Sequence, residues 1–348
     1  MLVINEGIPG LVDTPAPYDL ATHGVTQGLL NTWLSCPYKA LMKLHRITGD
    51  MGNTEALEFG NIVHKNLEQT YAWWNTVLNS GTASMDVPPS MMASKFFRAE
   101  ESASIKTILE NVRLASDIER VEIAFGQADA LLESYYRLYE SDFFGYDWKS
   151  LEQEFCVNVE IGGITVPLRG KLDGVFEKEG ELWLFETKTK SKIDDPNLAT
   201  KLFWDLQTNL YLKIIHELYG KIPKGFVYNL MKRPLLRKTQ RESVKEFIVR
   251  TGYDIQAKPN EYFRRIEVEY TYPELKMQWN NVTDILHAFV DWFYKDAPTY
   301  RNPNNCVQGW GACEYLRYCG EGDTNNFGQR ERMYPELEFE LQLQVAEK

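Results

Sequence analysis

The sequence lacks any apolar run near the ~18 residues that a membrane-spanning helix requires. Its first residues carry neither a basic segment nor an apolar one, so no secretory signal peptide is visible. We therefore expect a cytoplasmic protein that makes no contact with a membrane. Internal repeats and low-complexity tracts are also missing, and hydrophobic residues make up 44% of the 348 residues. This composition is typical of a globular chain that forms one large domain or two small ones.

Cysteine is scarce, and the five residues present are an odd number in a chain expected in a compartment that disfavours disulfides. Three of them, Cys306, Cys313 and Cys319, fall within fourteen residues, and Cys36 lies far upstream. Metal or cluster ligation is therefore the better explanation for these four. Four thiolates can hold a 4Fe-4S cluster or a tetrahedral Zn²⁺, and the spacing alone favours neither. Cys156, in a predicted strand, is expected to be a buried apolar residue.

The chain also has no overall excess of basic residues. Its net charge of −11 argues against a general nucleic-acid coat, which would be basic. The charge is uneven, however: residues 221–250 hold nine Lys and Arg against two Glu. This segment predicts either a path for phosphates or a solvated hairpin. The basic residues expected to contact DNA flank a predicted strand and turn: Lys232, Arg233, Arg237, Lys238 and Arg241.

Hydrophobic periodicity predicts an α/β protein. Helices are expected at 26–45 with a break at Pro37, and at 58–78, 97–115, 118–141, 198–219, 241–251 and 273–296. Alternation predicts three antiparallel strands over 155–192, with turns at 162–163 and 178–181, and a further strand at 225–233. Residues 79–95 carry loop signals. The predicted parts are an irregular segment at 1–25, a helical region at 26–150, the α/β core at 151–272, a helix with the cysteine cluster at 273–320, and an acidic tail at 321–348.

The densest chemistry lies at the ends of two predicted strands. Asp173 is late in one strand, and Glu186 and Lys188 end the next, where alternation makes them point to the same side. A short connection pairs these strands as a hairpin and brings Asp173 near Glu186. Two carboxylates beside an amine suit Mg²⁺ or Mn²⁺. The alternative is a cross-strand ion pair on a solvated face, which the surrounding apolar residues disfavour.

This pattern resembles the PD-(D/E)XK nuclease superfamily, in which an acidic residue is followed by (D/E)xK on the next strand. Asp173 matches the first position, and Glu186-Thr-Lys188 matches the second. The resemblance covers roughly residues 26–320. It implies a restriction-endonuclease-like core, with a central mixed sheet flanked by helices, to which helical additions and a cysteine staple are attached.

Two further motifs resemble the RecB-like branch of that superfamily. The branch has G-x-x-x-H in an upstream helix, and the chain has Gly60-Asn-Ile-Val-His64. It also has Q-x-x-x-Y in the helix after the ExK strand, and the chain has Gln207-Thr-Asn-Leu-Tyr211. No P-loop of the form G-x-x-x-x-G-K-[ST] is present, so the resemblance indicates a stand-alone nuclease rather than part of a helicase.

The resemblance implies a role for each of these residues. The implied metal ligands are His64, Asp173, Glu186 and the main-chain carbonyl of Thr187. Lys188 is the implied catalytic lysine. Gln207 and Tyr211, one helical turn apart, are implied to contact the substrate backbone or to support the active site. Glu154, at the start of the first strand, is a candidate for a further supporting carboxylate.

The cysteine layout resembles RecB-like nucleases with an iron–sulfur staple, a group that includes CRISPR adaptation nucleases, AddB-type subunits and phage-encoded relatives. Their usual C-terminal spacing is C-x2-C-x5-C, whereas the first gap here is x6, so Cys306 departs from the pattern. The resemblance favours a 4Fe-4S cluster over Zn²⁺. Either group would close a very long loop between Cys36 and the C-terminal cysteines. The chain looks most like the phage-type members, which would place it in a bacterial host cell.

These inferences predict a Mg²⁺- or Mn²⁺-dependent deoxyribonuclease, most like an exonuclease on single-stranded DNA or DNA ends. Structure-specific endonuclease activity is the nearest alternative enzyme. A non-catalytic iron–sulfur or zinc-stapled DNA-binding subunit of a recombination or repair complex is the alternative from another class. Phe203, Trp204 and Tyr228 are candidates for stacking on single-stranded bases, with packing in the core as the alternative. The sequence leaves open a homo-oligomer or a recombination or replication partner.

Overall fold

The structure is a computed structural model that describes residues 18–49, 55–80, 88–111, 114–295, 298–308, 311–322, 327–330, 332–334 and 337. Its strands are β1 (Val25–Thr26), β2 (Ile47–Thr48), β3 (Asp147–Ile161), β4 (Ile164–Lys178), β5 (Glu181–Lys190), β6 (Gly225–Lys232), β7 (Phe263–Glu269), β8 (Val307–Gln308), β9 (Gly311–Ala312) and β10 (Gly328–Gln329). Its helices in the first half are α1 (Leu20–His23), α2 (Gln27–Ser35), α3 (Pro37–Leu44), α4 (Glu55–Asn79), α5 (Pro89–Glu110), α6 (Ala115–Leu138) and α7 (Asp142–Gly145). The later helices are α8 (Leu198–Phe203), α9 (Leu206–Tyr219), α10 (Val244–Ala257), α11 (Pro259–Tyr262), α12 (Tyr272–Tyr294) and α13 (Leu316–Glu321), with a 3₁₀ turn at Pro303–Asn305.

The central sheet begins with the three predicted antiparallel strands. β3 pairs with β4, and β4 pairs with β5. The first hairpin turns at Gly162 and Gly163, whose φ angles are +59° and +81°, and the second turns at Glu179 and Gly180 at +55° and +83°. Two-residue turns with positive φ at both positions match the twist of the flanking strands. The turn residues recognised in the sequence therefore set the register of both hairpins.

The sheet becomes mixed after β5, in the order β1-β4-β5-β6-β7 with β3 also paired to β4. β5 and β6 are parallel, since α8 and α9 carry the chain back across one face before β6 begins. β7 then pairs antiparallel with β6. This confirms the predicted α/β fold with a central mixed sheet. The sequence analysis missed β7, whose residues are mostly half-buried and whose charged residues interrupt the apolar alternation.

Helices cover both faces of the sheet. One apolar core lies between the sheet and α2, α9 and α12, and it includes Leu184 and Leu210. The other lies between the sheet and α4, α5 and α6, and it includes Phe185 and Tyr135. Neighbouring residues of β5 thus enter different cores, as strand geometry requires. No helix in the described part of the chain has the length and apolar character to cross a bilayer.

Several predicted boundaries shift for local reasons. The helix predicted at 26–45 divides into α2 and α3, because Pro37 occupies the first position of α3, where its missing N–H costs nothing. The helix predicted at 198–219 divides at Trp204 and Asp205, and the Asp205 side chain caps α9 by accepting from the Thr208 N–H at 2.9 Å.

Other predicted segments fall partly outside the described residues. The loop predicted at 79–95 was wrong from Pro89 onward, because α5 begins there, and 81–87 lie outside the described residues. Most of the segment predicted at 1–25 and most of the tail at 321–348 also lie outside them.

A buried ion pair fixes β7 against the helical layer. Arg265 of β7 donates to both oxygens of Asp142, at 2.8 and 2.7 Å, and also to the Tyr135 hydroxyl at 2.9 Å. The Asp142 residue is 2% exposed. The guanidinium also lies 3.7 Å from the centroid of the Tyr139 ring. One charged network therefore connects α6, α7 and β7.

We predict that Arg265→Ala lowers the free energy of unfolding by about 3 kcal/mol, because it leaves the Asp142 carboxylate buried without its charge partner. Urea denaturation followed by circular dichroism measures this. The control is Lys224→Ala, which removes an exposed pair with Glu269 at 3.0 Å and should lower the stability far less, because exposed ion pairs contribute little. Equal effects of the two variants would contradict a stabilising role for the buried network.

Candidate active site

The helix α4 brings His64 to the sheet because of a glycine one turn earlier. A Cβ atom at Gly60 would lie 3.0 Å from the Thr189 hydroxyl of β5. Glycine therefore permits α4 to lie close against the end of this strand. His64 follows four residues later and shares that face of the helix. The spacing of the G-x-x-x-H motif thus has a packing reason in this fold.

Three side chains form a group that could hold a metal ion. His64 Nδ1 lies 3.5 Å from Glu152 Oε1 and 3.6 Å from Asp173 Oδ2. One ligand atom from each residue lies within 4.8 Å of the other two. The three residues border a small cavity of about 10 Å³, roughly the room that one water molecule needs. Carboxylate oxygens with one imidazole are a donor set that suits a divalent cation such as Mn²⁺.

Glu152 is the member of this group that the sequence analysis missed. It lies opposite Asp173, between the pairs Leu151–Gly174 and Gln153–Leu172 of the β3–β4 ladder. Its φ is +46°, a left-handed conformation that is unusual for glutamate, and a register shift precedes it in β3. Such an irregularity leaves no trace in the alternation pattern, and the acidic residues of the Glu152-Gln-Glu154 stretch were the available signal.

Glu154, the carboxylate suggested from the sequence, pairs in register with Lys171. It is absent from the metal-binding group found among the described residues. Lys171 donates to Glu152 Oε2 at 2.7 Å, so Glu152 contacts both His64 and a lysine. Burial raises the pKa of Glu152, but hydrogen bonds from His64 and Lys171 outweigh it and hold that pKa below its usual value.

Asp173 and Glu186 lie close together on the neighbouring strands β4 and β5, but Glu186 is in the middle of β5 (Glu181–Lys190) and not at its end as predicted. Gly174 pairs with Phe185 in the β4–β5 register, and the Thr187 N–H donates to Asp173 Oδ2 at 2.8 Å. Glu186 is 1% exposed. This hydrogen bond fixes the Asp173 carboxylate beside the strand that carries the rest of the motif.

The Glu186 carboxylate is only half satisfied. Its Oε1 accepts from Gln207 Nε2 at 2.7 Å and from Lys188 Nζ. Its Oε2 is buried and has no hydrogen-bond partner among the described residues. A buried carboxylate oxygen without a hydrogen bond lowers the stability of the fold, and a bound ligand would satisfy it. Burial, with the charge of Asp173, raises the pKa of Glu186 to about 7.

The remaining titratable groups respond to these carboxylates. Burial alone would lower the pKa of Lys188, but Glu186 and Asp173 raise it above its usual value, so the side chain stays an ammonium. Burial would likewise lower the pKa of His64, and Asp173 and Glu152 reverse the direction. Burial raises the pKa of Tyr211, whose ring packs edge-on against Phe155 at 5.7 Å.

The basic segment does not lie entirely open to solvent. Arg233 pairs with Glu55 at 3.1 Å, and Lys238 pairs with Glu119 at 3.0 Å, both on helices of the neighbouring layer. The Lys232 ammonium lies 5.4 Å from the centroid of the Tyr262 ring. The other two predicted DNA contacts are exposed: Arg237 and Arg241. Part of the local positive charge is therefore neutralised within the protein.

The four cysteines of the predicted staple line one cavity of about 470 Å³, and they are Cys36, Cys306, Cys313 and Cys319. The Cys313 N–H donates to the Cys306 carbonyl at 2.7 Å. In the described part of the chain, no three of their sulfurs lie within 4.8 Å of one another, so they form no compact thiol cluster. Cys156 is half-buried on β3 rather than fully buried as expected, and it is not among the residues that line this cavity.

The structure thus has a mixed sheet on which two acidic residues and a lysine lie on neighbouring strands, faced by a histidine from a helix. Residues 25–320 match the family model of the PD-(D/E)XK nuclease superfamily. The chain belongs to this superfamily. Membership implies hydrolysis of phosphodiester bonds with the help of divalent metal ions. Among curated proteins, none matches the sequence significantly.

Solved structures resemble the chain only distantly. A candidate exonuclease from Eubacterium rectale is 11% identical, with 85% of this chain and 88% of that chain covered and a TM-score of 0.47. The protein SSO0001 is 13% identical over 59% of this chain and 73% of its own, with a TM-score of 0.26. Protein VC1899 from Vibrio cholerae is 13% identical over 76% and 62%, with a TM-score of 0.18. The identification therefore depends on the family model.

We predict that Glu152→Gln weakens Mn²⁺ binding by about tenfold or more, because it removes a negative donor beside His64 and Asp173. Isothermal titration calorimetry measures the affinity. The matched control is Glu154→Gln, two residues along the same strand, which should leave Mn²⁺ affinity within about twofold. If Glu154→Gln lost more Mn²⁺ affinity than Glu152→Gln, Glu154 would be the supporting carboxylate, as the sequence suggested.

Proposed function

We propose that the protein is a Mg²⁺- or Mn²⁺-dependent exodeoxyribonuclease that hydrolyses single-stranded DNA or DNA ends. The observation that carries the proposal is the buried Glu186 carboxylate, which lies beside Lys188 and has one oxygen with no hydrogen-bond partner in the described part of the chain. The RecB-like motifs at His64 and at Gln207 and Tyr211 support exonuclease rather than endonuclease activity. Superfamily membership supports the phosphodiester as the bond that is cut.

The residues present fit a divalent cation. His64, Glu152 and Asp173 offer converging ligand atoms. Glu186 offers Oε2, which has no hydrogen-bond partner among the described residues. The main-chain carbonyl of Thr187 is a further candidate ligand. A bound Mg²⁺ or Mn²⁺ would supply Lewis acidity to the scissile phosphate. Hard oxygen donors of this kind are those that Mg²⁺ and Mn²⁺ prefer.

The protein's own side chains supply the rest of the chemistry. Lys188 keeps its proton and would stabilise negative charge that develops on the phosphoryl oxygens in the transition state. Gln207 donates to Glu186 Oε1 and so holds the carboxylate with its other oxygen free. Tyr211, raised in pKa by burial, stays a neutral phenol able to donate to the substrate backbone. Because these groups are fixed before substrate binds, little reorganisation is needed during the reaction.

We also propose that the cysteine cavity holds a structural 4Fe-4S cluster. Four thiols line one cavity, and four thiolates are the usual ligands of such a cluster. A tetrahedral Zn²⁺ with Zn–S bonds of about 2.3 Å would need sulfurs roughly 3.8 Å apart. Among the described residues no three of the thiol sulfurs lie within 4.8 Å of one another, so they do not have the spacing of a tetrahedral zinc site. Ligation would join the N-terminal end of α3 to the C-terminal region.

We predict that Glu186→Gln and Lys188→Ala each lower the cleavage rate of end-labelled single-stranded DNA by about 10³-fold or more in Mn²⁺ or Mg²⁺, while circular dichroism stays unchanged. Glu186→Gln removes the charged donor, and Lys188→Ala removes the cation beside it. The control is Lys213→Ala, which changes a half-buried lysine of α9 that pairs with Glu217 at 3.4 Å, and this variant should cleave normally.

The product ladder of the same assay separates exonuclease from endonuclease activity. Single-nucleotide or short terminal products support the proposal, whereas internal fragments favour the endonuclease. Wild-type protein that binds DNA but cleaves none with either metal would overturn the proposal in favour of a non-catalytic DNA-binding subunit.

We predict that protein purified without oxygen is brown and contains about four iron atoms per chain. Cys319→Ser should lose most of the iron and lower the thermal stability, because the staple between distant segments is weakened. The control is Cys156→Ser, which should keep both the iron content and the thermal stability of the wild type. A colourless wild-type protein with one zinc per chain, measured by metal analysis, would contradict the cluster.

A further inference from the structure

Trp204 is a large aromatic side chain that the protein leaves in solvent beside the candidate active site. It is 57% exposed at the end of α8, three residues before Gln207. Three steps of 3.8 Å place its Cα at most about 11 Å from that of Gln207. Gln207 in turn donates to Glu186. The ring is therefore anchored on the same short stretch of chain as a residue that contacts the catalytic carboxylate.

The turn that carries Trp204 is held by an unusual number of buried donors. The Phe203 carbonyl accepts from Asn209 Nδ2 at 3.0 Å, from the Tyr270 hydroxyl at 3.2 Å and from Gln278 Nε2 at 3.0 Å. Asn209 and Gln278 are buried. These donors come from α9, from the end of β7 and from α12, so the position of the turn is fixed from several sides.

The two other aromatic residues that the sequence suggested for base stacking are less exposed than Trp204. Phe203 is half-buried and stacks on Tyr270, with ring centroids 5.0 Å apart. Tyr228 is buried in the core, with the Lys190 ammonium 5.8 Å from its ring centroid. Both have occupied ring faces. The Trp204 and Phe203 rings meet edge to face, with centroids 5.3 Å apart at 77°, and more than half of the Trp204 side chain stays exposed.

Positive charge extends from the catalytic lysine toward the same side. Glu186, Lys188 and Lys190 alternate along β5 and so share one side of the strand. Lys190 is exposed; burial and the neighbouring Lys188 lower its pKa, and the charge of Asp205 partly opposes this. Asp205 directly follows Trp204 in the chain. A strand that leaves a scissile phosphate at Lys188 would thus meet a second ammonium group, whose charge interacts with the residue next to Trp204.

We propose that Trp204 stacks on an unpaired base next to the scissile phosphate and so selects single-stranded over paired DNA. This inference rests on the proposed nuclease function and adds the residue that recognises the substrate. Bases of every type have a π-face, so such a contact is tolerant of sequence. A base in a duplex already stacks on its neighbours and would have to be unstacked before it could reach the ring.

The test is the affinity of full-length protein for a fluorescein-labelled single strand of about 12 nucleotides, measured by anisotropy in EDTA so that no cleavage occurs. Trp204→Ala should weaken binding about tenfold, and Trp204→Phe should restore most of the affinity, since a phenyl ring can still stack. The control is Tyr253→Ala, which removes a 69% exposed aromatic from α10 in the other helical layer and should bind as the wild type does.

A scan with single abasic nucleotides makes the test specific for stacking. At one position, removal of the base should weaken wild-type binding about tenfold and leave Trp204→Ala binding unchanged, because the contact is already lost. Additive losses at every position would overturn the inference, and so would equal affinities of Trp204→Ala and Tyr253→Ala. If those results came with normal cleavage, the proposed function would stand. Wild-type protein that neither binds nor cleaves DNA would overturn both.

Discussion

A carboxylate removed from water is the constraint on which this site depends. Burying Glu186 in the middle of β5 is unfavourable unless each of its oxygens has a hydrogen-bond partner or a ligand. Lys188 and Gln207 satisfy one oxygen, and the other has no hydrogen-bond partner among the described residues. β5 supplies the lysine and α9 supplies the amide. The position of both elements therefore follows from the need to hold one charge in the interior.

Close packing around this carboxylate brings the second set of donors into range. Gly60 lets α4 approach β5, and the left-handed residue Glu152 turns the β3 backbone opposite Asp173. Strain of this kind persists only where the surrounding structure holds it, and it is concentrated at functional sites. Here the hairpin turns of β3, β4 and β5 provide that support, since they fix the register on both sides of Asp173. The regular pairing of β3, β4 and β5 thus holds the left-handed backbone at Glu152 in place.

The sequence predicted what depends on local patterns and missed what depends on packing. Alternation and turn residues predicted the β3–β5 meander and placed Asp173 beside Glu186, because both follow from a period of two residues and a short turn. Glu152 was missed because its left-handed backbone, just after a register shift between Trp148 and Ser150, leaves no mark on that period. The basic segment at 221–250 was counted as free charge, yet Arg233 and Lys238 pair with acidic residues from helices far away in the chain. Such pairings are set by the tertiary fold and leave no mark on the local pattern.

The break between α8 and α9 shows why irregular points carry so much of this molecule's chemistry. A continuous helix over 198–219 would satisfy its own backbone groups, and Phe203 would then offer no free carbonyl. The break needs Asn209, Tyr270 and Gln278 to satisfy that carbonyl, and Asp205 to cap the helix that follows. After the break, α9 begins at Leu206, and its residue Gln207 donates to Glu186. Trp204, at the break itself, is exposed to solvent. Because one turn carries both Trp204 and the start of α9, the proposed base contact and the orientation of the Glu186 carboxylate depend on the same part of the fold. Loss of the Asn209 or Gln278 amide would leave the Phe203 carbonyl with fewer partners, and we expect it to disturb both residues at once.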